Sequence, residues 1–336
     1  MKIIIPMAGR GSRLRPHTLT VPKPLIPIAG KPIVQRLVED IAKVCDDPID
    51  EVAFIIGDFG EEVEDDLKNI ASKLNAKASI YRQEEPLGTA HAIHCAKESL
   101  DGPVVVAFAD TLFKADFKLN KETDGVIWVK KVDNPSAFGV IKVDHEDTII
   151  DFVEKPKKFV SDLAIIGIYF FKEGKTLFKE LDYLIEKNIT GGGGEYQLTA
   201  ALENMRAKGA KFKLTSVDHW MDCGNKNVTV QTNSKVLEFE KDNLDYSNGK
   251  IINSLIIKPC YIGEGVIIEN SKIGPNVSVG KDTVILNSNI DNCLIQDDTR
   301  IHHANLTNSM IGNHAKYKGV IRNISLGDYS SFDLVD

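Results

Sequence analysis

Between Met7 and Pro24 the chain reads MAGRGSRLRPHTLTVPKP, a set of residue types suited to holding phosphate. Gly9 and Gly11 let the backbone approach an anion and turn its N–H groups toward it, while Arg10, Arg13, Arg15 and Lys23 bring positive charge to the same place. From Met1 to Val38 there are seven basic residues and no acidic one, although the chain of 336 residues carries a formal net charge of -7. That local reversal of sign points to a small, strongly anionic ligand. Before the glycines comes Lys2-Ile3-Ile4-Ile5, a β-branched run that predicts a buried central strand ending at the loop.

Two common phosphate loops do not fit. A dinucleotide fingerprint GxGxxG would need glycine at Leu14 and an acidic residue about twenty positions on, where Val34 and Gln35 stand. No GxxxxGK[ST] loop occurs in this stretch either. What remains is GxGxRLxP followed by TxxxPKP.

The elements that must position this loop follow from hydrophobic periodicity. Ile33–Val44 has apolar residues at helical spacing, Val52–Ile56 reads as a strand, and Glu61–Leu74 as a surface helix. Ala78–Arg82 is the next strand, Gly88–Leu100 a helix and Val104–Ala109 a strand. This alternation predicts an α/β fold with a mostly parallel sheet, in which ligands sit beyond the carboxyl ends of the strands. The loop at Gly9, the segment Gln83–Gly88 and Asp110 each follow a predicted strand, so they gather along one edge. Val126–Val132, Gly139–Val143, Ile149–Glu154 and Ala164–Phe171 read as further strands, with helices at Lys175–Lys187 and Gln197–Lys208. The four glycines at 191–194 predict a flexible turn. Phe212–Val217 leads to His219-Trp220-Met221-Asp222-Cys223-Gly224, and a helix at Asn227–Asp242 is expected to link two domains, 1–240 and 251–336.

From about Ile251 the texture changes. Apolar residues recur every five or six positions, at Ile262, Ile267, Ile273, Val279, Ile285, Ile295, Ile301 and Ile311, several of them followed by glycine. This spacing predicts a short left-handed parallel β-helix. An antiparallel sandwich would need alternation of period two.

With 43% hydrophobic and 26% charged residues the chain has the make-up of a soluble protein, with no apolar stretch long enough for a bilayer and a first apolar run too short for a signal peptide. The expectation is a cytoplasmic protein without a membrane partner. Five cysteines, 45, 95, 223, 260 and 293, form no CxxC pair, which argues against zinc and is compatible with reduced thiols. Basic residues gathered at one loop of an acidic chain argue against a nucleic-acid partner.

Residues 9–25, GRGSRLRPHTLTVPKPL, resemble the signature of the sugar-1-phosphate nucleotidyltransferases, enzymes that join a nucleoside triphosphate to a sugar 1-phosphate. Further segments are similar in order: QEEPLGTAHAI (83–93), FADTLF (108–113), FGVI (138–141), EKP (154–156), GEYQLT (194–199) and WMDCG (220–224). The resemblance implies the nucleotide-diphospho-sugar transferase fold, a Rossmann-like mixed sheet, often with a hexapeptide-like tail. It also implies roles. Arg13 and Lys23 would be catalytic, neutralising the triphosphate and its leaving group. Ala8, Gly9, Gly11, Gln83 and Gly88 would bind the nucleotide, with a side chain at Gly88 expected to collide with the base. Gly139, Glu154, Lys155 and Glu195 would bind the sugar phosphate. Asp110 and Asp222 would share a Mg²⁺ ion, a hard cation that takes carboxylate oxygen.

Within the family, SDLAIIGIYFF (161–171) is similar to a segment of long-form glucose-1-phosphate thymidylyltransferases, implying dTTP and glucose 1-phosphate. The alternatives are a mannose-1-phosphate guanylyltransferase and, in another class, a non-catalytic nucleotide-binding regulatory subunit. His302 and His303 raise an acyltransferase role for the β-helix, but packing in a homo-oligomer is the expected use of these coils. His17 is read as a capping or packing residue, and Cys223 as inert.

Overall fold

The computed structural model describes residues 1–9, 11–319 and 324–333, so Arg10 of the basic loop lies outside the described residues. The chain divides into two compact units, Met1–Gly9 with Leu37–Trp220, and Arg10–Arg36 with Met221–Asp336.

The first unit is built on a mixed sheet. Its centre is Lys2–Pro6, whose Ile3, Ile4 and Ile5 are wholly buried and which pairs in parallel with Glu51–Ile56 on one side and Val104–Ala107 on the other. Lys77–Arg82 extends the parallel part. On the other side the sheet turns antiparallel: Leu163–Phe171 pairs with Val104–Ala107 through its second half and meets Val140 through Ala164 in its first, and its pairing with Gly125–Lys131 shifts register between Ile165 and Tyr169. Gly125–Lys131 runs antiparallel to the same strand and is joined by Phe212–Ser216, while Val140–Val143 pairs with Ile149–Val153.

Amphipathic helices cover this sheet. Glu61–Ser72 buries Val63, Leu67, Ile70 and Ala71 and carries Glu61, Glu62 and Glu64 in its first turn, where negative charge complements the helix dipole. Gly174–Glu186 is capped by the Glu173 side chain, which accepts from Lys175 N, and packs on Leu198–Ala207. The helix expected over Gly88–Leu100 is shorter: Thr89–His94 ends before Ala96, whose backbone leaves the α region, and Lys97–Ser99 forms a separate tight turn. The glycine run makes one such turn, Gly192–Gly194.

The second unit contains the expected β-helix. Three parallel sheets wind in coils of 15 to 17 residues; one face stacks Ile251, Ile268, Ile285, Ile301, Tyr317 and Phe332 in register. Most of the anticipated inward residues are buried, including Ile262, Ile273, Val279, Ile285, Ile295, Ile301 and Ile311. Ile267 is not among them. Its neighbour Ile268 points inward and is wholly buried. The corners are made by residues with positive φ, such as Asn253, Asn270 and Asn287 in successive coils, and asparagine is one of the few L-residues that visits that region readily.

The helix anticipated at Asn227–Asp242 is Lys226–Glu240, and it belongs to this unit, lying against the sheet that contains Val277–Val279 and Cys293–Ile295. Its first turn is capped by Asn225 Oδ1, which accepts from Asn227 N and Val228 N.

Candidate active site

The first compact unit holds most of the anticipated ligand-binding residues. Met7 N donates to Ile55 O at 2.8 Å and Gln83 N to Ile56 O at 2.9 Å, so Ala8 and Gln83 emerge at the carboxyl ends of the two parallel strands that flank Glu51–Ile56. Asp110 follows Val104–Ala107 in a turn where Thr111 N donates to Phe108 O. The edge expected from the strand order is therefore the edge on which these residues lie.

Gln83 does not present its whole amide to a ligand. Its Nε2 donates to Gly88 O at 3.2 Å and stands 3.1 Å from His91 Nδ1, so that ring nitrogen must accept. Burial, and then His94, lowers the pKa of His91, which keeps the acceptor available at neutral pH. The amide oxygen is the group left to face a ligand.

Gly88 is required by the protein's own backbone, whatever a bound base adds. Its φ is 110°, and an added Cβ would lie 2.5 Å from Tyr196 O, so glycine is dictated by the protein's own backbone. Tyr196 N donates to Leu87 O at 2.8 Å, Ala90 N to Tyr196 O at 2.9 Å, and Leu198 N to Thr89 Oγ1 at 3.0 Å. These bonds stitch the segment after Gln83 to the segment around Glu195. Glu195 Oε2 in turn accepts from Gln197 Nε2 at 3.1 Å.

Thr199 continues the path. Its hydroxyl donates to Glu154 Oε2 at 3.2 Å, and an added Cβ on Gly139 would stand 3.2 Å from the same oxygen. Gly139, Glu154 and Thr199 thus form one cluster. Buried Tyr169 has its phenol pKa raised by desolvation and by the nearby Glu154 carboxylate. Lys155 sits in a left-handed turn (φ 40°), its N–H donating to Phe138 O at 3.2 Å and its Nζ 3.6 Å from Glu154 Oε1. Phe138 stacks edge-on against Trp220 with ring centres 4.8 Å apart. Sequence reasoning named Glu154 and Gly139 but not Thr89, Thr199 or Tyr196, although all three lie inside or beside segments singled out for their likeness.

The second unit carries Gly11, Arg13, Lys23 and Asp222. Gly11 has φ 58°, its carbonyl accepts from Thr18 Oγ1 at 2.8 Å, and an added Cβ would meet Lys23 Cβ and Thr18 Cγ2, each at 3.1 Å. Arg13 is exposed in the tight turn Ser12–Leu14, which Leu14 anchors by burial. Lys23 opens a second turn, Lys23–Leu25, behind Pro22. Asp222 Oδ1 accepts from Gly224 N at 3.0 Å, and its carbonyl accepts from the Thr232 hydroxyl at 2.7 Å, which fixes the aspartate against the helix Lys226–Glu240. Cys223 beside it is fully buried.

The donor set fits magnesium. Asp110 and Asp222 are both half-buried carboxylates, and among the described residues no three or more His, Cys, Asp and Glu are grouped to hold a metal. Carboxylate oxygen is the donor a hard cation such as magnesium takes, and magnesium needs only one or two such ligands from protein.

A mixed, mostly parallel sheet whose carboxyl edge carries Ala8, Gln83 and Asp110 defines an α/β protein. Residues 2–238 match the family model described as nucleotidyl transferase, and the chain belongs to that family. It is 35% identical over 277 residues to the bifunctional protein GlmU of Methanocaldococcus jannaschii, covering 81% of this chain and 61% of that protein's length. With GlmU of Methanococcus maripaludis it shares 30% identity over 341 residues, 94% of this chain and 79% of the other. The glucose-1-phosphate thymidylyltransferase of Streptomyces antibioticus is 28% identical over 364 residues, 99% of each chain. Among solved structures, UDP-glucose pyrophosphorylase complexed with UDP-glucose aligns with a TM-score of 0.60 at 24% identity, over 71% of this chain and 98% of that one, a likeness of fold.

Proposed function

We propose that the protein joins a nucleoside triphosphate to a sugar 1-phosphate, releasing pyrophosphate. The observation that carries this reading is the set of hydrogen bonds that joins Gln83 to Gly88, joins the adjacent Leu87 and Ala90 to Tyr196, and joins Thr199, three residues further on, to Glu154. It ties a base-side group to a sugar-side carboxylate on one sheet edge.

In the reaction a phosphate oxygen of the sugar phosphate attacks the α-phosphorus. A new P–O bond forms, the bond between the α-phosphorus and the bridging oxygen breaks, and the electron pair leaves with pyrophosphate. The attacking oxygen is already charged at neutral pH, so no side chain need act as nucleophile. Arg13 and Lys23 offset the negative charge of the triphosphate and of the departing pyrophosphate. Lys155 holds the incoming phosphate, with Glu154 and Glu195 accepting from sugar hydroxyls. Gly139 leaves room beside Glu154, and Ala8, Gly9 and Gly11 offer backbone to the nucleotide. Asp110 and Asp222 would hold Mg²⁺, which would supply charge neutralisation on the phosphates.

With its amide nitrogen engaged, Gln83 has its oxygen left to accept from a base N–H, which the ring N–H of thymine supplies. Together with the full-length likeness to a thymidylyltransferase, this supports dTTP and glucose 1-phosphate as the preferred pair. The test is a matrix of triphosphates against sugar 1-phosphates with Mg²⁺, read as pyrophosphate. Release greatest with dTTP and glucose 1-phosphate is expected; release only with ATP or CTP would sink the base assignment. None from any pair would leave the non-catalytic binding subunit as the reading.

A further inference from the structure

The segment bearing Gly11, Arg13 and Lys23 is fastened by distant parts of its own compact unit. At its far end Arg36, 6% exposed, pairs with Glu240 at 2.6 Å and donates to Ile28 O and Ala29 O. Ala29 N donates to Asn233 Oδ1 at 3.0 Å, and the same oxygen accepts from Ser278 Oγ in the β-helix.

Closer to Arg13 the partner is the last described coil. His17, fully buried, has Nε2 2.6 Å from Ser325 Oγ. The Thr20 hydroxyl donates to Asp328 Oδ2, while Asp328 Oδ1 accepts from Asn313 N at 2.6 Å, so the carboxylate ties the loop to the preceding coil. Pro16 lies so close to Gly327 that an added Cβ would stand 2.7 Å from Pro16 Cβ. Ser325 and Leu326 are held in register with Met310 and Ile311, which gives these contacts a rigid base. Residues 16, 17 and 20 fall between Arg13 and Lys23 in the chain, so what holds them sets where both cations stand.

We infer that this coil is a positioning surface for the phosphate-binding loop, with Ser325, Gly327 and Asp328 acting through His17, Pro16 and Thr20. The inference rests on the reading of the loop as the triphosphate site. A loop that spends only part of its time in the competent arrangement binds more weakly by that fraction, and anchoring it removes the penalty. The effect falls on the triphosphate. Lys155, proposed for the sugar phosphate, lies in the other compact unit and is not held by these contacts.

Steady-state kinetics of the full chain test this. Thr20→Val removes the hydroxyl bond to Asp328 and is expected to raise KM for the triphosphate about five- to tenfold, the scale of one ordinary hydrogen bond, with KM for the sugar phosphate and the thermal midpoint nearly unchanged. Thr20→Ser restores the hydroxyl and should recover the wild-type KM. Gly327→Val pushes on Pro16 and should act in the same direction; if it does not fold, Ser325→Ala takes its place. An unchanged triphosphate KM in these variants, or an equal rise in both KM values together with lost stability, overturns the inference. If the wild-type protein turns over no pair, the functional reading has failed, and calorimetric titration with inorganic tripolyphosphate decides the positioning question: Thr20→Val must weaken that binding, and equal affinity refutes it.

Discussion

Asp110 and Gly88 show two ways a residue can matter at this edge. The carboxylate of Asp110 is proposed to hold a cation, so removing its charge while keeping its shape should remove function and spare the fold. Asp110→Asn is expected to lower turnover about a hundredfold or more with an unchanged circular-dichroism spectrum, and near-normal activity would place the metal elsewhere. Gly88 is set by backbone: with φ 110° and Tyr196 O where a methyl would go, Gly88→Ala should cost about 2 kcal/mol or more, read as a lower urea midpoint. A midpoint equal to wild type would contradict that account. The need for glycine at 88 was legible in the sequence as a likeness, but its crowding by Tyr196 was not. Tyr196, which crowds it, is far away in the chain, and only the tertiary pairing of Leu87 with Tyr196 brings them together. Thr199 was missed for a related reason: a threonine inside a helix gives no sign that its hydroxyl meets a carboxylate 45 positions earlier.

Among elements, those with long periodic patterns were read well and those decided by distant contacts were not. The strands Lys2–Pro6 and Glu51–Ile56 and the helix Ile33–Val44 stood out because unbroken apolar or helical spacing leaves few alternatives. The β-helix was legible because its inward residues repeat at the spacing of its short strands. Choosing between Ile267 and Ile268 was not possible from two identical residues, since only the register of the coil decides which turns inward. The short strand Thr111–Lys114 passed unnoticed for want of a pattern, and the anchoring of the loop on Ser325 and Asp328 joins residues 308 positions apart.

That anchoring has a pH signature. Burial, followed by the charge of Lys226, lowers the His17 pKa to about 4, so the folded protein binds fewer protons there than the unfolded chain does. The contribution is complete above the ordinary histidine pKa near 6.5 and is lost as pH falls toward about 4, by up to roughly 3 kcal/mol. His17→Gln should therefore show a shallower fall in thermal midpoint than wild type between these limits. Parallel curves would mean that His17 carries no such linkage.

For the molecule as a whole, the sequence indicated five cysteines without a pairing pattern, and the structure shows all five as free thiols. Burial pushes Cys45 and Cys293 up to about 12 and Cys260 up to about 11, and Cys223 is wholly buried. Alkylation of the native protein at pH 8, followed by mass spectrometry, should give at most one rapid label, at the partly exposed Cys95, and five after unfolding. Rapid labelling of several thiols would show a looser core than the one described. No helix among the described residues is long and apolar enough to cross a membrane. The chain's net charge of -7 sits beside a loop of opposite sign, which concentrates attraction for polyanions at one place.

The central claim is attack on the α-phosphorus, and an isotope reads it directly. With dTTP labelled at the α-phosphorus, glucose 1-phosphate and Mg²⁺, the account predicts that the label passes into a nucleoside-diphosphate sugar while the pyrophosphate formed is unlabelled. Label recovered only in dTTP, or in free thymidine monophosphate with no sugar adduct, would contradict it.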